Sequence, residues 1–506
     1  METTIRKHLE RECDKLIARH QSHIRQSKRN QGRFQKRTGQ VPGRPPSYVP
    51  EYWNLDPHFN PYYVRSRLEG IAHGLAESIR SNTYEVSPTY CFSIPKPGGG
   101  KRELTIFSIP DAAVANYLYR QLLHRNSHRF SSYSYAYRPD RTAHFAVEHL
   151  FKAIKRQKRL FLLEYDFAKY FDTISHDYVE HLLKNELHVS PREQMLASAF
   201  LRFRRARGHE AFRNQQFETN DTGIAQGNSL SLFLANIACL ELDRELEATG
   251  AIFARYADDT VILCRDYAQA NLCADLMLSH GQRSATKVNF KKSDGLSLLT
   301  PEKTAEIRAK SSFSFLGYEI APSGVGLSPK AVKRIKKKIA TIIHKHLLLY
   351  PKRDQFDINR IEANGLDWDM VTCINEIRRY LYGSVTEQIV SDCLADKSKS
   401  LKLTKGLMSF YPLIDIPDEF QKMDGWMLNV IHRAQIARRK LVGHQNANTR
   451  VFSREELLDG TWYRLASPRL EIRLPSFFRG WLYIRKCLQV YGLMSFRSAD
   501  YSYYDA

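Results

Sequence analysis

The stretch "FARYADDTVILC", residues 253–264, sets Asp258 and Asp259 side by side between two apolar runs that read as β-strands. A second stretch, "RLFLLEYDFAKYFDTI", ends its apolar run at Asp166. Grouping carboxylates in half-buried positions is unfavourable, because like charges repel and each loses hydration. A cation removes the conflict. Three carboxylates on neighbouring strand ends suit Mg²⁺, a hard ion that takes carboxylate and phosphate oxygens. Two such ions ~3.5–4 Å apart serve in-line phosphoryl transfer, one activating the attacking oxygen and the other steadying the leaving one. An Asp pair alone is weak evidence, since most are solvated turns. The elements around it must supply the rest.

Those elements read as an α+β chain. "PYYVRSRLEGIAHGLAESIR" has helical spacing. "YCFSIPKPGGGKRELTIFSIP" reads as a β-hairpin whose Gly-rich turn carries Lys96, Lys101 and Arg102. Residues 110–125 and 141–156 read as helices on either side of "SYSYAYRPDRTAHFAVEHL". "TGIAQGNSLSLFLANIACLELDREL" is a Gly-containing loop that leads into a long apolar helix, and the Asp258–Asp259 hairpin is followed by a helix from about Tyr267 to His280. From residue 326 the chain turns basic and mostly helical. In "LSPKAVKRIKKKIATIIHKH", Ser328 is the expected N-cap and Pro329 the first helical residue. Val332, Ile335, Ile339 and Ile342 form an apolar stripe opposite a dense Lys/Arg face.

The whole chain has 76 Lys+Arg against 54 Asp+Glu, a net charge of +22, which points to a polyanionic partner. Residues 1–50 form a basic N-terminal arm. Its first part, to about Arg29, reads as a helix, and the Gly/Pro-broken remainder as irregular unless bound. None of the eight cysteines forms a C-x-x-C pair, which disfavours a zinc site. The start "METTIRKHLERECDK" lacks an apolar h-region and no run is long enough to span a bilayer, so the expected setting is the cytoplasm, with no membrane partner.

"DFAKYFDTI", "AQGNSLS" and "YADD" follow one another in this order, and they resemble motifs A, B and C of the reverse transcriptase palm. "IPKPGGGKREL" resembles the fingers hairpin, "YAYRPDRTAH" the element before motif A, "LTPEKT" motif D and "FSFLGYEI" motif E. The resemblance covers roughly residues 86–325. It implies a right-hand polymerase with fingers and palm over 51–325, followed by a mostly α-helical, basic, thumb-like C-terminal domain over 326–506. It also implies site roles. Asp166, Asp258 and Asp259 are the expected catalytic metal ligands for a two-ion Mg²⁺ site, with Mn²⁺ able to substitute and the Phe167 backbone carbonyl contributing. Phe171 resembles the steric gate under the sugar 2′ position, which makes dNTPs the substrate. Gln226 and Gly227 match the pair lining the nascent base pair. Lys96 and Arg102 match residues that hold the incoming triphosphate, and Lys303 matches a general acid for pyrophosphate.

The chain also departs from the pattern. Motif B reads "QGNSLSLFLANI" where relatives carry "QGSPLSPLLANI", so Asn228 and the missing prolines should alter the loop's stiffness. About ten extra residues, "HGQRSATKVNF", precede motif D. The C-terminal part shows neither an RNase H-like acidic cluster nor an HNH-like Cys/His pattern, which argues against a retroviral enzyme or a complete group II intron mobility protein.

A polymerase core with this C-terminus resembles the bacterial defence-associated and abortive-infection reverse transcriptases. "HFNPYYVRSRLEGIA" and "LMSFYPLIDIPDEFQKMDGWMLNVI" are similar to stretches of the same group. The resemblance implies cDNA synthesis on a structured non-coding RNA in antiphage defence, with a DNA product and a homo-oligomer as an expected state. Retron and intron-derived enzymes, untemplated or protein-primed synthesis, and a non-enzymatic nucleic-acid scaffold are the alternatives. For protein priming the candidates are Tyr501, Tyr503 and Tyr504 near the end of the sequence, since a phenol can replace a primer 3′-OH.

Overall fold

The computed structural model describes residues 1–43, 49–95, 99–155, 157, 159–289, 293–302, 307–397, 401–463 and 472–496. The chain divides into two compact units. The first comprises residues 1–28, 45–141 and 159–310, and the second 29–44, 142–158 and 311–506.

The strands of the first unit are β1 (Thr89–Pro95), β2 (Lys101–Ile106), β3 (Leu160–Tyr165), β4 (Phe167–Ala168), β5 (Arg204–Arg207), β6 (Glu218–Thr219), β7 (Ile252–Tyr256), β8 (Asp259–Cys264), β9 (Lys287–Val288), β10 (Gly295–Leu299) and β11 (Ala309–Lys310). Among the described residues they make a fingers sheet in the order β2-β1-β5-β6 and a palm sheet in the order β11-β10-β3-β8-β7, with β4 and β9 as a separate pair. The expected fingers hairpin is present, with Tyr90 opposite Ile106 and Pro95 opposite Lys101. Parallel pairing of β1 with β5 is a long-range contact that local patterning does not announce. The central palm strands carry Leu162, Leu163, Val261, Ile262 and Leu263, all buried. Such near-continuous apolar runs mark strands covered on both faces. Helices Ile109–Asn126, His176–Asn185, Pro191–Leu201 and Tyr267–Arg283 contribute Leu118, Leu183, Ala197 and Met277 to one core with Leu163 and Ile262.

Three local readings change. The helix expected from Pro61 is broken. Ser66 turns its hydroxyl onto the Tyr63 carbonyl at 2.8 Å, Arg67 leaves helical geometry (φ −130°, ψ 25°), and a second helix runs from Leu68 to Arg80. The long helix after the "AQGNSLS" loop is also two, Ser229–Ile237 and Leu240–Ala248. There the Tyr170 hydroxyl donates to the Ala235 carbonyl at 2.6 Å, and the Cys239 amide turns to Asn236 instead. The N-terminal helix, in contrast, runs past Arg29 to Thr38. Its start buries Ile5, Leu9 and Cys13, spaced one turn apart. The irregular stretch expected from residue 30 therefore begins only at Gly39.

In the second unit, β12 (Phe313–Phe315), β13 (Tyr318–Ala321) and β14 (Gly324–Leu327) form an antiparallel sheet, with "FSFLGYEI" as its first hairpin. Helix Ala143–Ile154 packs on β13. Helices Pro329–Ile343, Trp368–Tyr382, Asp418–Val442 and Phe477–Tyr491 make up much of the remainder. Ser328 caps the first of these by accepting from the Ala331 amide, with Pro329 at its first turn. Ile335, Ile339 and Ile342 are buried, and Val332 is half-buried. The architecture is α+β, a fingers–palm polymerase fold followed by a mostly helical C-terminal part. Among the described residues no helix is long and apolar enough to cross a membrane.

Candidate active site

Strand register places the carboxylates. Tyr165, the last residue of β3, pairs with Thr260, and Tyr256 pairs with Asp259 across the β7–β8 hairpin. Asp166 therefore leaves β3 beside the strand end that carries Asp258 and Asp259. The hairpin turn consists of Ala257 and Asp258, with Ala257 in the left-handed region at φ 58°. That conformation costs a residue with a Cβ of order 1 kcal/mol. It is held from below by Arg255, fully buried, whose guanidinium donates to the Ala257 carbonyl at 3.1 Å. The same guanidinium pairs with the buried Asp243 through two nitrogens and reaches Ser134 Oγ (2.8 Å) and Asn236 Oδ1 (3.0 Å). Ser134 and Asn236 thereby tie the element before motif A and the motif B helix to the turn.

Asp166 is clasped by a segment that the sequence reading treats as an insertion. β9 pairs with β4, setting Val288 opposite Phe167. Beyond β9, Asn289 donates its backbone amide to the Asp166 carbonyl (2.7 Å) and its side-chain amide to Asp166 Oδ2 (3.2 Å). The Asp166 amide donates to Ser293 Oγ at 3.0 Å. The extra residues before motif D thus orient the first carboxylate. Phe167 is buried, its ring stacked on Tyr170 (5.6 Å between centroids) and edge-on to His280 (5.7 Å).

Asp166 and Asp258 are half-buried and Asp259 is exposed. This set offers hard oxygen donors and no thiolate or imidazole, which fits Mg²⁺. Among the described residues no three Asp, Glu, His or Cys side chains converge as a ready-made metal cluster.

Phe171 is half-buried beyond the left-handed turn at Lys169 (φ 51°). Its ring lies edge-on to Tyr170 and Tyr137, with centroids 5.8 and 6.4 Å away. Its carbonyl accepts from the Ile224 amide at 2.6 Å, docking the motif B loop on motif A. A Cβ on Gly223 (φ +79°) would come within 2.7 Å of the Phe171 and Asp172 carbonyl oxygens. On its other side the loop docks on β2, where the Thr105 amide donates to the Gln226 carbonyl at 3.1 Å. Asn228 accepts from the Ser231 amide at 2.8 Å and so caps the helix that proline would otherwise start.

Tyr137 lies inside the matched "YAYRPDRTAH" element, which gave it no role, and the structure sets it beside the candidate site. Its phenol is pushed up to about 12, first by burial and then by Asp258, with Arg255 and Arg102 pulling the other way. Fingers residue Arg102, palm residue Asp258 and the Phe171 ring thus share one neighbourhood around Tyr137. Arg102 is half-buried on β2, opposite Ile94. Lys96, Lys303, Tyr501, Tyr503 and Tyr504 lie outside the described residues.

Residues 94–320 match the family model described as reverse transcriptase (RNA-dependent DNA polymerase). A 91 kDa protein in the cob intron of Schizosaccharomyces pombe is 28% identical over 173 residues, 34% of this chain and 20% of that protein. A putative COX1/OXI3 intron 2 protein of Saccharomyces cerevisiae is 26% identical over 184 residues, 36% of this chain and 21% of that protein. The chain thus spans about a fifth of the length of these curated relatives. Among solved structures, apo telomerase from Candida tropicalis aligns over 79% of this chain and 73% of that one, at 13% identity and a TM-score of 0.39. Residues 94–320 thus match the reverse transcriptase family in sequence model and in the order of motifs A, B and C.

Proposed function

We propose that the chain is an RNA-directed DNA polymerase that extends a primer with dNTPs. The observation that carries this reading is the register that brings Asp166 beside Asp258 and Asp259, with the Phe171 ring edge-on to Tyr137, whose phenol feels the Asp258 charge. Asp166, Asp258, Asp259 and the Phe167 carbonyl would hold two Mg²⁺ ions, which when bound lower the pKa of the attacking 3′-hydroxyl and neutralise charge on the triphosphate. Phe171 excludes a ribose 2′-hydroxyl, Gln226 and Gly227 line the nascent base pair, Arg102 and Lys96 orient the triphosphate, and Lys303 protonates pyrophosphate. Primer extension on a poly(rA)·oligo(dT) substrate tests the reading. Incorporation should be metal-dependent and lost in Asp258→Ala and Asp259→Ala proteins that still fold. Full activity in the double variant would sink it.

The biological setting we propose is antiphage defence with a structured non-coding RNA as template, supported by the resemblance over residues 58–72 and 407–431. The intron proteins among the relatives favour a second reading, an intron-derived enzyme that copies its host RNA. Sequencing RNA and DNA that co-purify with the protein separates the two, because an intron transcript and a separate non-coding RNA are different molecules. Protein priming by Tyr501, Tyr503 or Tyr504 predicts DNA whose migration changes on protease treatment, and loses that change when all three become Phe.

A further inference from the structure

The end of the long N-terminal helix has two faces that do different things. Phe34 and Arg37 pack within the second unit, to which residues 29–44 belong. The Phe34 ring lies edge-on to Tyr350 at 5.9 Å. Arg37 is 3% exposed, pairs with Asp369 at 3.5 Å and hydrogen-bonds the His346 ring. The Asp357 amide donates to the Arg37 carbonyl at 2.8 Å, and Arg360 donates to the Lys36 carbonyl at 3.4 Å. These contacts fix the rotation of the helix about its own axis.

With the rotation fixed, Arg29, Arg33 and Lys36 fall on another stripe, at the i, i+4, i+7 spacing of one helical face. They line a concavity of about 520 Å³ together with Gly32 and Arg379, the latter from helix Trp368–Tyr382. The lining has four cationic side chains and no acid. The carboxylate that reaches this group is Glu376, 3.8 Å from Arg33, and it is already engaged by His346 at 2.8 Å and Lys345 at 3.8 Å. Gly32 leaves the floor open, since a Cβ there would meet nothing within 4 Å. Four cations converging from two elements repel one another unless an anion bridges them, and two or more guanidinium forks suit phosphate oxygens.

We propose that this concavity binds consecutive phosphates of a nucleic-acid backbone, as a site separate from the polymerase carboxylates. The net charge of +22 is consistent with such a partner. The inference rests on nucleic acid being the partner, as the proposed function requires, but not on polymerase chemistry.

The test is equilibrium binding of the full chain to a labelled 20-nucleotide single-stranded RNA, to DNA of the same sequence, and to inorganic triphosphate, without dNTPs. Neutralising a phosphate contributes about 0.7 to the slope of log K against log salt for single strands. Arg29→Gln/Arg33→Gln/Lys36→Gln should therefore lower the slope by about 2 and weaken binding roughly tenfold or more at 0.15 M salt. Gly32→Glu, a helix-favouring change that clashes with nothing, should weaken binding as well. Arg29→Lys/Arg33→Lys should keep most of the slope. Loss with RNA alone, with DNA alone or with both identifies which backbone is held. The proposal is overturned by an unchanged slope in the triple variant, by an equal drop after Arg433→Gln/Arg439→Gln/Lys440→Gln on another helix, or by triphosphate competing for the site while the oligonucleotides ignore these variants. A wild-type chain that binds neither oligonucleotide overturns it too and removes the partner assumed by the proposed function. Normal oligonucleotide binding with an unaffected triple variant removes the concavity alone.

Discussion

Gly227 sits directly against Thr105: a Cβ on Gly227 would come within 2.0 Å of the Thr105 carbonyl oxygen, and the adjacent Thr105 amide donates to Gln226. The motif B loop and the fingers strand are thus in backbone contact, and glycine is required for closeness. Gly227→Ala must push the loop off β2. We expect nucleotide incorporation to fall at least tenfold and stability by about 1–3 kcal/mol, the usual cost of overpacking. Gly74→Ala, where a Cβ meets nothing within 4 Å, is the control and should be neutral or slightly stabilising. Equal effects from the two changes would contradict the contact.

Phe171 presents its ring edge-on to Tyr137, so the proposed gate would be a two-ring wall. Phe171→Ala should admit ribonucleotides, while Tyr137→Phe, which keeps the ring, should preserve discrimination. Competitive incorporation of rNTP against dNTP measures both. An alanine variant that stays active with dNTPs and still rejects rNTPs would remove Phe171 from the gate.

The Arg255–Asp243 pair is fully buried on both sides. Removing one partner strands the other charge, at a typical cost of 3–5 kcal/mol. Arg255→Met should therefore lower unfolding free energy by about that amount, and Arg255→Met/Asp243→Leu by less than the sum of the single changes. Urea melts of the four proteins complete the cycle. Additive losses would show that the pair does not act as a unit.

His280 is buried beside Phe167, and burial lowers its pKa to about 3, with Arg283 and Arg255 adding to the shift. A base whose folded pKa lies below its unfolded value binds more protons when unfolded as the pH drops. Its contribution is complete above the unfolded value near 6.5 and is lost as pH falls toward 3. At pH 5 the loss is roughly 2 kcal/mol. His280→Gln should flatten the fall in stability between pH 7 and 5, and an unchanged profile would exclude His280 as its source.

Much of the site is legible in the residues themselves. The three carboxylates, Phe171, the Gln226–Gly227 pair and the Gly-rich hairpin stand in the proposed site because few residue types can perform that chemistry, at spacings set by strand ends and tight turns. Ser328 and Pro329 are equally readable, because a helix start needs a side-chain acceptor and tolerates proline within a few residues. What the sequence determined alone is this local layer: strand ends at Asp166 and Asp259, and the apolar stripe Ile335, Ile339 and Ile342.

The tertiary structure decided the rest, because it depends on partners far apart in the chain. Arg255 reads as one more cation until Asp243, Ser134 and Asn236 close around it. "HGQRSATKVNF" reads as an insertion until Asn289 reaches Asp166. The Tyr170 hydroxyl breaks a helix that propensity would continue, by occupying the Ala235 carbonyl. Residues 30–38 read as part of an irregular stretch because the sequence after Arg29 is broken by Gly and Pro. They are helical because Phe34 and Arg37 find Tyr350, Asp369 and His346, more than three hundred residues along the chain. Helix and strand periodicity carry no information about such partners, and burial against them outweighs local preference.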